Sequence, residues 1–401
     1  MNWYKRLNRA WRSYLIKKRN NGEYYLPTRQ SFANNYKKRL KFIEYHLRRE
    51  DYIFGKWKAI LIPKKDGEER PLIIPNSIND KIVLKAISDY LSDILAPKFK
   101  SVQSISFAYQ KGKSTRDALI RLKEIHHQDN ILLKLDIKHF FDEIDKGILM
   151  QLVKKLSMND YVKKLIKSGI TPNVDYSNLE KNDIDKFPKG GIPQGNPISS
   201  VLSNLYLYDL DKLAISKGWK MVRYADDMVF SVSNIEEAQL ILSQVEKYLL
   251  DNRKLVIHPL KNSSDAKTAI FLNPRDNRMK YLGVIFDGQY LFPTKECYYQ
   301  LIRKIKTILK NALTPKIKEM AIKKAIAQWC GYYAFTDIPN SQIKWMNNVI
   351  NYQIGKCKLN IPKVNIADVI FKTRKRQNNR LVKFFHPIRF GEEYGWLNIY
   401  S

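Results

Sequence analysis

Cysteine is scarce in this 401-residue sequence: Cys297, Cys330 and Cys357 are the three present, spaced about 30 residues apart with no paired spacing. Neither a disulfide framework nor a zinc cluster fits that pattern. Long apolar runs are also missing, and none approaches the roughly 20 residues of a membrane span. The first residues lack the basic, apolar and small-residue succession of a secretory signal. A soluble cytoplasmic protein without a membrane partner is therefore expected. Gly and Pro are modest at 16 each, and no internal repeat or low-complexity segment occurs, which excludes fibrous and disordered classes. Acidic residues are the conspicuous shortage, 39 against 71 Lys and Arg, for a net charge of +32. What is abundant is core material, 44% hydrophobic and 12% aromatic, enough for two or three subdomains.

The positive charge is not spread evenly. Residues 1–65 hold 18 Lys/Arg against 4 Asp/Glu, residues 295–380 hold 18 against 4 again, and all the rest carries only +4. Aromatics interleave with the charge at both ends: Trp3, Tyr4, Trp11 and Tyr14, then Tyr298, Tyr299, Trp329, Tyr332, Tyr333 and Trp345. Such ends suit a clamp on a polyanion, with cations on phosphates and rings stacked on bases. A merely solvated surface would carry the self-repulsion of +32 without return. Charge alone does not separate RNA from DNA or from anionic lipid.

Residues 1–55 read as amphipathic helix, broken at Asn20-Asn21-Gly22. Two strands, 57–63 and 70–75, flank a turn at Lys65-Asp66-Gly67, a hairpin signal with a basic loop. Helical spacing of Ile82, Val83, Ala86, Ile87, Leu91 and Ile94 follows over 80–97. Ile131 to Leu135 is a buried strand running into Asp136; strands 221–225 and 228–232 are separated by Asp226-Asp227 at a tight turn. Ser233-x-x-Glu236 predicts a capping box opening a helix through Ala238, Ile241, Leu242, Val245 and Leu249. The middle is therefore α+β with a mostly antiparallel sheet, and from 297 onward the chain reads as all-α.

An Asp closing a buried apolar strand, with an Asp pair at a hairpin 90 residues later, is costly unless a cation compensates. An isolated Asp-Asp is ordinarily a solvated turn; the compensation that a buried set of three would call for is divalent metal. Paired Mg²⁺ ions on shared carboxylates activate a 3′-hydroxyl and neutralise a transferring phosphoryl group.

These residues carry a family resemblance. Tyr224-Ala225-Asp226-Asp227 resembles the Tyr-x-Asp-Asp box of reverse transcriptases, and Asp136-Ile-Lys-His-Phe-Phe141 resembles their first catalytic motif. Gly191-Ile-Pro-Gln-Gly-Asn-Pro-Ile-Ser199 is similar to their Gly-x-Pro-Gln-Gly-x-Pro-x-Ser segment, Arg70-Pro-Leu-Ile-Ile-Pro75 with Lys64 to the fingers strand, and Tyr281-Leu-Gly283 to the primer grip. Tyr109-Gln-Lys-Gly-Lys-Ser114 with Asp117-Ala-Leu119 is similar to the fingers-to-palm segment of bacterial members, and Ala325 to Tyr333 to the thumb of group II intron enzymes. The match runs over about residues 50 to 335, and its order is more specific than any one motif.

The resemblance implies a right-hand fold: a basic helical N-terminal extension over 1–55, fingers over 56–130, palm over 131–295 with a fingers insertion near 150–190, an α-helical thumb over 296–360 and a tail over 361–401. It implies RNA-directed DNA polymerisation with two Mg²⁺ ions, or Mn²⁺ as substitute, held by Asp136, Asp226, Asp227 and the Ile137 carbonyl. Lys64 and Arg70 would hold the triphosphate of a dNTP, Gln194 and Gly195 would meet the nucleotide, and Phe141 would press on the sugar 2′ position and reject ribose. Tyr281, Leu282, Gly283, Arg303, Lys304 and Trp329 would touch the RNA–DNA duplex; Lys254 or Lys261 would protonate pyrophosphate.

The roughly 65 residues after Trp329-Cys-Gly-Tyr-Tyr are too few for an RNase H domain, and HNH spacing and retron segments are missing. Gln194 departs from diversity-generating enzymes, which usually replace it. The expectation is a stand-alone, defence-associated (anti-phage) bacterial enzyme of the group II intron-like lineage with a dedicated structured non-coding RNA. The alternatives are a maturase-like RNA-binding protein and a diversity-generating enzyme. The tail ending Trp396-Leu-Asn-Ile-Tyr has no reading beyond packing or RNA contact.

Overall fold

Trp3, Leu7, Ala10 and Trp11 recur at the spacing of one helix face, and in the computed structural model they form the buried stripe of α1 (Trp3–Asn20). The structure describes residues 2–20, 27–63, 67–127, 130–263, 266–311, 314–357 and 363–378. Lys64, the turn residues Lys65 and Asp66, and the stretch from Trp396 lie outside them. After α1 come α2 (Pro27–Asn34), α3 (Tyr36–Arg48), β1 (Trp57–Pro63), β2 (Glu69–Pro75), α4 (Ile78–Ser101), α5 (Thr115–Ile125), β3 (Ile131–Asp136), α6 (Phe140–Glu143), α7 (Lys146–Lys154) and α8 (Asp160–Ile170). Then follow β4 (Val174–Asp175), α9 (Lys181–Ile184), α10 (Pro197–Ser216), β5 (Met221–Tyr224), β6 (Asp227–Val232), α11 (Ile235–Arg253) and β7 (Ala269–Phe271).

The chain divides into two compact units, Met1–Ile270 and Phe271–Ser401. In the first, α1 packs on α3 and α4. Trp11 is 3% exposed and ringed by Tyr14, Phe32 and Tyr36. This corrects the expectation that Trp3 and Trp11 stack on bases: burying an indole is worth more than leaving it for a partner, so these rings join the core.

β1 and β2 pair antiparallel, Trp57 opposite Pro75 and Pro63 opposite Glu69, and β4 joins β1 in parallel. A second sheet has the order β5-β6-β3-β7. Every residue of β3 after Ile131 is buried, because α11 packs against β3 and β6. The helix start after β6 sits one residue later than predicted. Asn234 is the cap, its side chain accepting from the Glu237 N–H, while Glu237 accepts from the Ser233 N–H. Asn caps as well as Ser, and Glu237 rather than Glu236 reaches back to the chain preceding the helix.

The second unit holds the sheet β10-β9-β8, from β8 (Met279–Tyr281), β9 (Val284–Phe286) and β10 (Leu291–Pro293), and helices α12 (Lys295–Lys310), α13 (Pro315–Tyr333), α14 (Asn340–Lys356) and α15 (Ile366–Asn378). Ile366 and Ile370 of α15 enter the same core as Leu301, Ile326 and Met346, so the helical core extends past residue 360 into the presumed tail. Among the described residues no helix is long and apolar enough to cross a membrane.

Candidate active site

The register of one strand pair builds the centre of the site. β3 and β6 run antiparallel with Ile131 opposite Val232, and this brings Asp136 directly opposite Asp227. Residues so paired share a sheet face, with Cβ atoms about 5 Å apart. β5 and β6 close with Tyr224 opposite Asp227, leaving Ala225 and Asp226 as a two-residue turn. Ala225 takes φ of +60° there, a left-handed conformation that costs a residue with a Cβ. Arg223 holds it: its guanidinium donates to the Ala225 carbonyl at 2.8 Å while binding the Asp211 carboxylate at 2.6 and 2.5 Å, Asn204 Oδ1 at 3.1 Å and Ser106 Oγ at 2.8 Å.

Three carboxylates in so small a buried space oppose one another's charge. Burial and then the Asp136 charge push the Asp226 carboxyl up to about 6. The same causes, with Asp226 added, push Asp227 up to about 7. Cations answer them: Lys267 Nζ lies 2.9 Å from Asp136 Oδ2, His258 Nε2 is 3.8 Å from the same oxygen, and the Lys134 and Arg223 charges oppose the rise at Asp227 and Asp226 respectively. Burial is the largest single influence and works against the Lys267 charge, yet the bond to Asp136 and the charges of Asp136, Asp227 and Asp226 together outweigh it and raise the ammonium above its ordinary value. Among the described residues no three His, Cys, Asp or Glu side chains converge into a complete metal cage. The oxygen donors and unbalanced negative charge do fit a hard divalent cation. The His258 N–H donates to the Asp136 carbonyl and the Lys138 N–H to the Val256 carbonyl, two bonds that flank Ile137 without using its carbonyl.

Beside this centre the segment 191–195 docks on α6. The Ile192 N–H donates to the Phe141 carbonyl at 2.8 Å, and Gln194 Nε2 donates to Asp142 Oδ1 at 3.1 Å. Gly191 has φ of +64°, and a Cβ there would overlap the Phe141 carbonyl, so only glycine admits the approach. The Ile73 N–H of β2 donates to the Gln194 carbonyl, linking the β1–β2 hairpin to this segment. Phe141 is half-buried against Phe140, with ring centroids 5.4 Å apart. Arg70 is exposed on β2. The Tyr109 hydroxyl feels both Asp226 and Arg70: burial and then the Asp226 charge raise it, and Arg70 opposes them.

Neither predicted lysine reaches the carboxylates. Lys254 Nζ pairs with Asp145 Oδ2 at 2.7 Å, and Lys261 is exposed. Lys267 instead occupies the place next to Asp136, just ahead of the strand that borders β3, a neighbourhood that no local sequence pattern announces. In the second unit, Tyr281 is buried while Leu282 and Gly283 form the β8–β9 turn, both with positive φ. The turn is held by Tyr332, whose hydroxyl donates to the Leu282 carbonyl at 3.1 Å, and by the Cys297 thiol at 3.3 Å from the Gly283 carbonyl. Arg303 and Lys304 are exposed on α12, Lys304 donating to Gln328 Oε1. Trp329, expected on nucleic acid, is 7% exposed and donates its indole N–H to the Cys297 carbonyl, so it packs the core instead.

Residues 62–286 match the family model described as reverse transcriptase (RNA-dependent DNA polymerase). The group II intron-encoded protein LtrA of Lactococcus lactis is 28% identical over 177 residues, 43% of this chain and 27% of that protein. The retron Ec86 reverse transcriptase of Escherichia coli is 24% identical over 254 residues, 62% of this chain and 69% of that one. A telomerase structure from Candida albicans superimposes with a TM-score of 0.47 at 12% identity, covering 84% of this chain and 64% of that one. The chain thus spans about a quarter of the length of the group II protein.

Proposed function

The chain belongs to the reverse transcriptase (RNA-dependent DNA polymerase) family, and we propose that it extends a DNA 3′ end with dNTPs on an RNA template. The observation that carries this reading is the register that sets Asp136 across from Asp227, beside Asp226 at the turn. Asp136 and Asp226, with Asp227 and the Ile137 carbonyl, would hold Mg²⁺. When bound, the metal supplies charge neutralisation at the 3′ oxygen and the transferring phosphoryl group.

The chain's own residues do the positioning. Arg70, with Lys64 near it in sequence, offers cations for the triphosphate. Gln194 is fixed by Asp142 and borders the nucleotide, and Gly195 lets backbone come close. The Leu282–Gly283 turn, Arg303 and Lys304 are proposed to hold the duplex through its backbone. We read the template as a dedicated structured RNA used in antiviral defence, supported by the basic ends and by the resemblance of the motifs.

The test is primer extension by the purified chain with labelled dNTPs and Mg²⁺ on a primed RNA, beside sequencing of RNA that co-purifies. DNA complementary to the template and one discrete co-purifying RNA are expected; no synthesis on any primed template would overturn the reading. Phe141→Ala is expected to raise use of NTPs over dNTPs by roughly 10- to 100-fold, since removing a ring that fills space releases about 1–3 kcal/mol of discrimination. Unchanged sugar selectivity would remove Phe141 from the gate.

A further inference from the structure

Two cavities of about 610 and 320 Å³ meet between α3 and the start of α4. They share Gly55, Ser77 and Asn79, so they form one groove with two lobes of different chemistry. The larger lobe is cationic. Arg39, Lys56 and Lys81 line it, and no carboxylate does so among its described lining residues. The Arg39 guanidinium is held 5.3 Å over the Phe32 ring, and Lys81 donates to the Asn76 carbonyl.

The smaller lobe is aromatic. Phe42, His46 and Ile53 line it, and Phe42 and Ile53 are 59% and 86% exposed. Phe42 is steadied edge-on by His46 at 4.5 Å, which leaves a ring available for stacking. The lobe's two carboxylates already have partners. Asp80 accepts from the Tyr52 hydroxyl at 2.7 Å and the Gly55 N–H at 3.1 Å, and Asp51 pairs with His46 and Arg49. Lys37, Lys38 and Lys41 continue the positive charge along the exposed side of α3.

A cationic lobe beside an exposed ring, joined by a polar floor, matches a phosphate next to an unstacked base. A duplex hides its bases and offers nothing to Phe42. We propose that the groove between α3 and α4 binds a single-stranded RNA segment, its backbone on Arg39, Lys56 and Lys81 and a base on Phe42. The elements that form it carry none of the catalytic carboxylates, so this contact anchors RNA outside the polymerising centre. The choice of RNA rests on the proposed function, and the binding itself can be tested without catalysis.

The full-length chain is titrated with a fluorescent single-stranded RNA of about 20 nucleotides, without Mg²⁺ or dNTPs, over a range of salt. Arg39→Glu/Lys56→Glu is expected to weaken binding about tenfold or more and to flatten the salt slope by roughly 2. Phe42→Ala, a change at an exposed ring, is expected to weaken binding about tenfold with the melting curve unchanged. A 4-thiouridine RNA should cross-link within residues 39–56. Primer extension on a saturating short primed template should be unaffected in every variant. Affinity within twofold of the parent, or cross-links confined to other segments, would overturn the groove while leaving the polymerase reading intact. Groove-dependent binding by a chain that makes no DNA would support the groove and overturn the polymerase reading.

Discussion

Asp226→Asn is expected to lower primer extension by roughly 1,000-fold or more, because a neutral amide cannot supply the charge that a divalent cation requires in a two-metal phosphoryl transfer. The substitution is nearly isosteric, so shape is retained and charge alone changes. Its effect on the fold should run the other way. Asp226 is half-buried, poorly solvated and opposed by Asp136, so removing its charge relieves repulsion, and the melting temperature should equal or exceed that of the parent. This opposite movement of activity and stability is the signature of a site kept unfavourable for its function. Asp136→Asn should be as damaging to synthesis, with less gain in stability, because Asp136 also gives up its pairing with Lys267. Synthesis within tenfold of the parent for both variants would exclude these carboxylates from the chemistry. If the biological effect survived their loss, the RNA-binding, maturase-like alternative would replace synthesis as the function.

Arg223→Ala should be the most destabilising single change near the site. The Arg223 and Asp211 side chains are each 1% exposed and are joined at 2.5 Å. Deleting the guanidinium leaves Asp211 buried and unpaired and takes the Arg223 hydrogen bond from Asn204 Oδ1 and the Ala225 carbonyl, while Ser106 Oγ keeps its bond from Gln110 Nε2. Breaking such a pair costs about 3–5 kcal/mol, a shift on the order of 10 °C in the unfolding of the first unit. Chemical denaturation followed by near-ultraviolet circular dichroism would measure it. Asp211→Leu combined with Arg223→Met removes both charges and should recover most of that loss, since an apolar pair avoids the desolvation penalty. Nothing in the double variant holds the Ala225 carbonyl, so the strained turn that aims Asp226 is free to relax, and synthesis should remain well below the parent. A double variant with parental synthesis would show that Arg223 serves stability alone.

Much of this was legible in the residues. The short apolar strand ending in Asp136, the hairpin around Asp226 and Asp227, the β1–β2 pair and the order of motifs follow from local periodicity and turn chemistry, which a linear sequence carries directly. Even there the detail shifted: Asn234 took the cap assigned to Ser233, because neighbouring polar residues compete for one N-terminal turn.

Other features depended on which residues meet across long chain separations. Nothing near Lys267 in sequence marks it as the partner of Asp136; the fold brings them together by running the segment before β7 alongside β3. Arg223 reads as one more basic residue until Asp211, Asn204 and Ser106 are seen to enclose it. The aromatics show the same division. Composition determined that a basic, ring-rich chain suits a polyanion, but burial decided which rings remain for it. Trp3, Trp11 and Trp329 went into cores, and Phe42 stayed exposed beside Arg39 and Lys56. Charge and periodicity are properties of the chain itself, whereas exposure and pairing arise only when packing assigns each side chain its neighbours.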